Sequence, residues 1–176
     1  FYNCSGLTGI GGPLFAGISG APASYMFQQT FYNCSGLEEA ELSGMFGTLN
    51  GAPASYMFYQ TFFGCQNMKG DISNVFTGTL SGSATSNMFV QTFQGCSGLT
   101  GTSVKLGGKF LYEIWPNATS AQVGDMYTGC TGLTDNNCET GVMMPAIWGA
   151  QACVDDWAFE YTTTNTSDVT ISLSAK

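Results

Sequence analysis

The chain has no histidine and no arginine, and its positive side chains are four lysines: Lys69, Lys105, Lys109 and Lys176. Only 9% of its 176 residues are charged, against roughly 25% in an ordinary soluble domain. Twelve acids leave a net charge of −8. Nucleic acid and anionic membrane surfaces are gripped through clustered Lys and Arg, so neither is an expected partner. No stretch approaches the ~20 apolar residues of a membrane-spanning helix. With no histidine and no Cys-x-x-Cys pair, no metal site is expected. General base chemistry would fall to Asp or Glu, and the only acid clusters are Glu38-Glu39-Glu41 and Asp155-Asp156. Both read as solvated rims, so no catalytic residue and no cofactor are expected. A basic segment followed by an apolar run is missing from the opening residues, and Phe1 falls inside a repeat. The expectation is a mature or partial chain.

What is present is repetition. Phe1-Tyr2-Asn3-Cys4-Ser5-Gly6-Leu7 recurs as Phe31-Tyr32-Asn33-Cys34-Ser35-Gly36-Leu37. Phe62-Phe63-Gly64-Cys65-Gln66-Asn67-Met68 and Phe93-Gln94-Gly95-Cys96-Ser97-Gly98-Leu99 follow, and Tyr127-Thr128-Gly129-Cys130-Thr131-Gly132-Leu133 is a looser fifth copy. The offsets are 30, 31, 31 and 34 residues. A period between 20 and 50 residues marks a solenoid, in which each unit buries its apolar side against its neighbours. Hydrophobic content of 44%, with 14% aromatics, is ample for such a core.

Within the unit Phe31 to Thr61, Ser35-Gly36-Leu37 predicts a turn into a short extended segment, with Leu37 and Leu42 inward. Gly44 to Leu49 reads as a single helical turn or bend. Gly51-Ala52-Pro53 reads as a helix start, with proline where its missing N–H is harmless. Met57, Phe58, Thr61 and Phe62 then share one helical face. The unit is therefore expected to be strand, turn, short helix. The fourth unit departs from this, with Lys105 to Pro116 in place of the glycine-rich middle and a helix resuming over Ala118 to Met126.

The expected division is a solenoid over 1–134, with units starting at 1, 31, 62, 93 and 127. A closing segment over 135–156 and a β tail over 157–176 follow. Phe159 to Thr164 and Asp168 to Ser174 both read as β-type. Val169, Ile171 and Leu173 alternate with polar residues, the period of a half-buried strand. Because a helix-and-strand solenoid offers it no partner, that strand is expected to contact another subunit or domain.

Five cysteines (Cys4, Cys34, Cys65, Cys96, Cys130) hold one place in successive units and are expected to form a column of buried thiols. Bonds between neighbouring rungs would fit disulfide geometry badly. Cys138 and Cys153 lie outside the repeat phase and are the disulfide candidates, a pairing that would imply an oxidising compartment. Asp135, Asn136, Asn137 and Glu139 offer oxygens, but read as a polar turn rather than a calcium loop. Asn117 and Asn165 open glycosylation triplets in polar surroundings. Asn3 and Asn33 open others beside the cysteine column, where coincidence is the expectation. Tyr2, Tyr25, Tyr32, Tyr56 and Tyr59 are candidates for an exposed aromatic face, with Tyr25 and Tyr56 as its test positions.

The pattern aromatic-x-x-Cys-Ser-x-Leu, with Met-Phe a few residues before the next aromatic, resembles the BspA-like leucine-rich repeats of bacterial surface proteins. Met26-Phe27, Met57-Phe58 and Met88-Phe89 carry it together with Phe31, Cys34, Leu37 and their counterparts. The present units are richer in glycine and lack Ile-Pro strands. The resemblance implies an α/β leucine-rich-repeat-like right-handed solenoid, a location outside the cell or on its surface, and roles in adhesion or surface assembly. It implies no catalytic residues.

Two functions follow as expectations. The first is a non-enzymatic extracellular structural protein, a filament or fibril subunit whose partners are copies of itself, joined head to tail and by strand addition. The second is an adhesin that grips a glycan or a host surface protein through the repeat face.

Overall fold

The computed structural model describes residues 1–136, 144–150, 157–164 and 168–175. Its strands are β1 (Gly9–Ile10), β2 (Ser19–Gly20), β3 (Glu39–Ala40), β4 (Thr48–Gly51), β5 (Gly70–Asp71), β6 (Thr77–Leu80), β7 (Leu99–Thr100), β8 (Lys105–Leu106), β9 (Lys109–Phe110), β10 (Trp157–Thr164) and β11 (Asp168–Ala175). Two single-turn helices, α1 (Leu111–Ile114) and α2 (Ser120–Val123), lie in the fourth unit, and a 3-10 turn spans Ala146–Trp148.

Equivalent strands of successive units pair in parallel. β1 lies beside β3 and β5 beside β7, while β2, β4 and β6 form a three-stranded sheet with Thr48 opposite Thr77 and Asn50 opposite Thr79. The aromatic residues pile up in the same register. Phe1, Phe31, Phe62, Phe93 and Tyr127 form one column with centroids 5.1–5.9 Å apart and planes within 10°. Phe27, Phe58 and Phe89 form a second, and Phe15, Phe46 and Phe76 a third from the strand side that inserts between them. Leu37 and Leu42 are buried with them.

The short helix expected in each unit is not there. Residues 55–64 form a train of turns, and the reason is the rise of the array. Paired strands sit about 4.8 Å apart, whereas packed helices need 8–10 Å between axes. Rungs held near 5 Å by strand pairs leave no room for one helix per rung. A helix would also close its backbone bonds within itself. Here alternate amides behave differently. Met26, Gln28, Thr30, Tyr32 and Cys34 donate to the carbonyl three residues back. Tyr25, Phe27, Gln29, Phe31 and Asn33 donate across to Ser55, Met57, Tyr59, Thr61 and Phe63 at 2.7–3.1 Å. To direct its peptides this way the chain turns left-handed at every fourth residue: Tyr25, Gln29 and Asn33, then Tyr56, Gln60 and Gly64, then Asn87, Gln91 and Gly95.

The helix expected over Ala118 to Met126 shrinks to α2, whose Thr119 N–H donates to Gln122 Oε1 at 2.9 Å. The bend expected over Gly44 to Leu49 becomes a turn running into β4.

The tail also differs from expectation. β11 does not lack a partner, because it pairs antiparallel with β10 in a hairpin. Val169, Ile171 and Leu173 stand opposite Thr163, Tyr161 and Phe159. The mate lies outside the repeats, in the β-type segment immediately before it.

Candidate functional site

Contact surfaces and one buried polar cluster carry what chemistry the array has. Tyr25 is 58% exposed and stacks on Tyr56 at 5.0 Å, and Tyr56 meets Tyr59 edge-on at 5.5 Å. Tyr2 stacks on Tyr32, and Tyr32 on Phe63, each at 4.9 Å. The five tyrosines thus fall into two columns along the outer side of the turn train. Because the rings stack on one another, inner rings such as Tyr32 have their faces covered. A sugar stacking on a flat ring would find an open face chiefly at Tyr2 and Tyr25. Between these columns runs an amide ladder that sequence reading missed: Gln29 Nε2 donates to Gln60 Oε1 at 2.8 Å, and Gln60 Nε2 to Gln91 Oε1 at 2.6 Å. The spacing of 31 residues between identical glutamines was its visible signal.

Cys4, Cys34, Cys65, Cys96 and Cys130 are free thiols, and all but Cys4 are buried. Each buried thiol donates to the carbonyl of the aromatic residue one unit back: Cys34 to Phe1, Cys65 to Phe31, Cys96 to Phe62 and Cys130 to Phe93, at 2.8–3.1 Å. Burial pushes Cys65 and Cys130 up to about 12, and Cys96 well above its ordinary value. A thiol that stays protonated is a poor nucleophile, so this column is structural. Cys138 and Cys153 lie outside the described residues.

The buried polar cluster closes the last units. The Asp135 carboxylate accepts from Ser103 N–H at 2.8 Å, Ser103 Oγ at 2.5 Å and Tyr112 OH at 3.3 Å. Asn136 Nδ2 donates to the carbonyls of Tyr127 and Cys130. Both residues of the supposed polar turn therefore point inward and tie the chain down; Asn137 and Glu139 lie outside the described residues. Burial, with Asp135 beside it, raises the Tyr112 phenol. Among the described residues no three His, Cys, Asp or Glu come together as metal ligands.

Glu38 and Glu41 line a shallow groove of about 550 Å³ beside β1, β3 and β5, where Glu38 meets Lys69 at 3.9 Å. Both partners are exposed, which makes this a weak surface pair. Asn117 is exposed between α1 and α2, next to Trp115, whose indole donates to Gly82 O at 2.9 Å. Asn3 and Asn33 are exposed too, so burial gives no reason to set their triplets aside. Asn165 lies outside the described residues. Among the described residues no helix is long and apolar enough to cross a membrane.

The two ends of the array are unlike. At the residue-1 end Phe1, Tyr2, Leu14 and Tyr25 are 47–58% exposed. At the other end the 3-10 turn lies across the last unit, where Asp125 and Tyr127 donate to Ile147 and Trp148. There Trp148 and Met144 are buried in the common core. Comparison with family models, with curated proteins and with solved structures gave no match to this chain.

Proposed function

We propose that the chain is a non-enzymatic structural protein of the cell exterior, a stiff scaffold of stacked leucine-rich-repeat-like units. The observation that carries this reading is the ring column from Phe1 to Tyr127, continuous across all five units and accompanied by ladders of backbone, glutamine and thiol hydrogen bonds. Reactive groups are used inward: the thiols bond carbonyls, and Asp135 bonds Ser103 and Tyr112. A surface low in charge and rich in Ser, Thr, Asn and Gln suits extracellular contact, as does the resemblance to bacterial surface repeats. Growth of copies into a filament is the most demanding form of this role. It loses one support, since β11 is already paired, and the covered end at Trp148 restricts another. Hydrogen exchange across residues 20–130 tests the scaffold. Uniformly slow exchange in all units supports it, whereas independent fast opening of single units would end it. Electron microscopy of the intact chain at several concentrations decides between separate particles and fibres.

We infer as a second reading an adhesin, favoured by the cluster of exposed Tyr25 with the half-buried Tyr56 and Tyr59. A glycan array probed with the chain and with Tyr25→Ala tests it. Binding lost in the variant supports a glycan adhesin, and no binding by either chain removes the glycan form of this reading.

A further inference from the structure

We infer that Asn117 carries an N-linked glycan whose first sugar lies in the groove beside it. The inference rests on the exterior location proposed above, because such sugars are added to chains on the secretory route.

Three described triplets have the Asn-x-Ser/Thr form, opening at Asn3, Asn33 and Asn117. Asn3 and Asn33 belong to the hydrogen-bonded ladders. Both are left-handed, at φ +57° and +54°, and their N–H groups donate to Tyr32 and Phe63 in the next unit at 2.8 and 2.7 Å. Cys34, between Asn33 and Ser35, is buried with its thiol on Phe1 O. The Asn33 carboxamide lies on Gly64, where a Cβ would run into its Oδ1. A transferase must draw a triplet into its own cleft, and drawing this one out breaks bonds that hold two units together. A sugar on Asn33 would also press on the neighbouring rung.

Asn117 stands outside those ladders. Pro116 fixes the second place of the turn Trp115-Pro116-Asn117-Ala118, which Ala118 N–H closes by donating to Trp115 O at 3.1 Å. Exposed Asn117 makes no hydrogen bond with any described residue. Thr119, whose hydroxyl the transferase reads, is exposed too and bonds only Gln122 and Val123 of the same turn. This triplet therefore opens without breaking a hydrogen bond to another unit.

The groove that Asn117 lines has a volume of about 340 Å³, within the range of small-molecule sites. Ile114, Pro116 and Ala84 give it an apolar lining, and the exposed Ser83 hydroxyl makes no hydrogen bond with a described residue. Trp115 and Gln122 hold its walls through bonds to Gly82 O and Ala84 O, both at 2.9 Å. An N-acetylated pyranose offers the matching mixture: C–H faces and a methyl for the lining, hydroxyls for Ser83. A sugar fixed to Asn117 Nδ2 is already at high effective concentration there.

The transfer is a substitution at the anomeric carbon of a sugar carried on a lipid pyrophosphate. Asn117 Nδ2 forms the new C–N bond as the C–O bond to phosphate breaks. The lipid pyrophosphate leaves with the electron pair, and the Nδ2 proton passes to a base of the transferase.

The test sends the full chain, behind a cleavable leader, through the secretory route of cultured animal cells. Location is thereby supplied, so a failure at Asn117 is a failure of the site and not of the exterior reading. Every version carries Asn165→Gln, so that the triplet outside the described residues adds no signal. Peptide mass spectrometry of medium and cells together is expected to find Asn117 glycosylated and Asn3 and Asn33 bare. The glycan is lost in Asn117→Gln and in Thr119→Ala and kept in Thr119→Ser. A bare Asn117, or Asn33 modified in preference to it, overturns the inference. Trimmed by an endoglycosidase to its first sugar, the chain is expected to melt about 2–4 °C above Asn117→Gln. Equal Tm values overturn the seating in the groove. Hydrogen exchange across residues 20–130 of the Asn117→Gln chain reports on the scaffold reading separately.

Discussion

Gln29 and Gln60 stand 31 residues apart, share a left-handed backbone at φ +52°, and are joined through their amides at 2.8 Å. A left-handed conformation costs a non-glycine residue roughly 1–2 kcal/mol. The ladder offsets that strain, since Gln60 both accepts from Gln29 and donates to Gln91. Gln60→Val removes both bonds and puts a β-branched residue where it fits worst. The expected loss is about 2–4 kcal/mol in urea unfolding. Gln60→Gly loses the bonds but relieves the strain, so it stays within about 1 kcal/mol of the parent.

Phe62 is fully buried between Phe31 and Phe93, whereas Phe1 has a ring on one side only and is 56% exposed. Phe62→Ala is expected to cost about 3–5 kcal/mol, as large cavities in close-packed cores do. Phe1→Ala is expected to cost less than half as much. Equal losses in denaturant melts would contradict the column as the main source of stability.

Gly44 and Gly47 lie one turn apart at φ +65° and +68°, so alanine is strained at both. They differ in what a Cβ would meet. Nothing lies near Gly44, while at Gly47 the carbonyl oxygen of Ile18 in the unit below blocks the place. Gly44→Ala should cost about 1–2 kcal/mol and Gly47→Ala at least about 3 kcal/mol. The difference in Tm between the two variants measures how firmly neighbouring rungs are held.

Alkali should unfold the array through its thiols. An unfolded thiol ionises near 9, while Cys65 and Cys130 hold their protons to about 12 because they are buried. The stabilisation is thus complete below pH 9 and declines as pH climbs toward 12. Each such thiol contributes a slope of about 1.4 kcal/mol per pH unit within that window. Cys65→Ala should flatten the profile between pH 9 and 12 while lowering stability at neutral pH. An unchanged slope would show that other groups, such as the buried phenols, govern alkaline unfolding.

The period was legible because the copies are nearly literal, and the extended segments at Glu39 and at Asp168 to Ser174 followed from turn residues and alternation. The helix was misread for a specific reason. A left-handed residue at every fourth position brings Phe27 and Phe31, or Phe58 and Phe62, to one side much as a helix of 3.6 residues per turn would. Side-chain spacing cannot separate the two; only the rise of the stack does, and that is set by pairing between distant strands. The inward roles of Asp135 and Asn136 were hidden too, because a short polar run looks like a solvent-exposed turn until Ser103 and Tyr112 are brought beside it. Tyr25 and Tyr56 were legible as candidates for an aromatic face, yet one sequence alone does not say that their rings lie flat on each other.

A rise near five ångströms has a mechanical corollary. An α-helix of 20 residues reaches 30 Å, whereas here about 31 residues are laid down for each step between rings such as Phe31 and Phe62, 5.1 Å apart. Such a body gains breadth far faster than reach, more plank than pole. Along its flank some groups recur at that interval, Gln29, Gln60 and Gln91 among them, while others change from rung to rung, as Tyr25 and Tyr56 give way to Asn87.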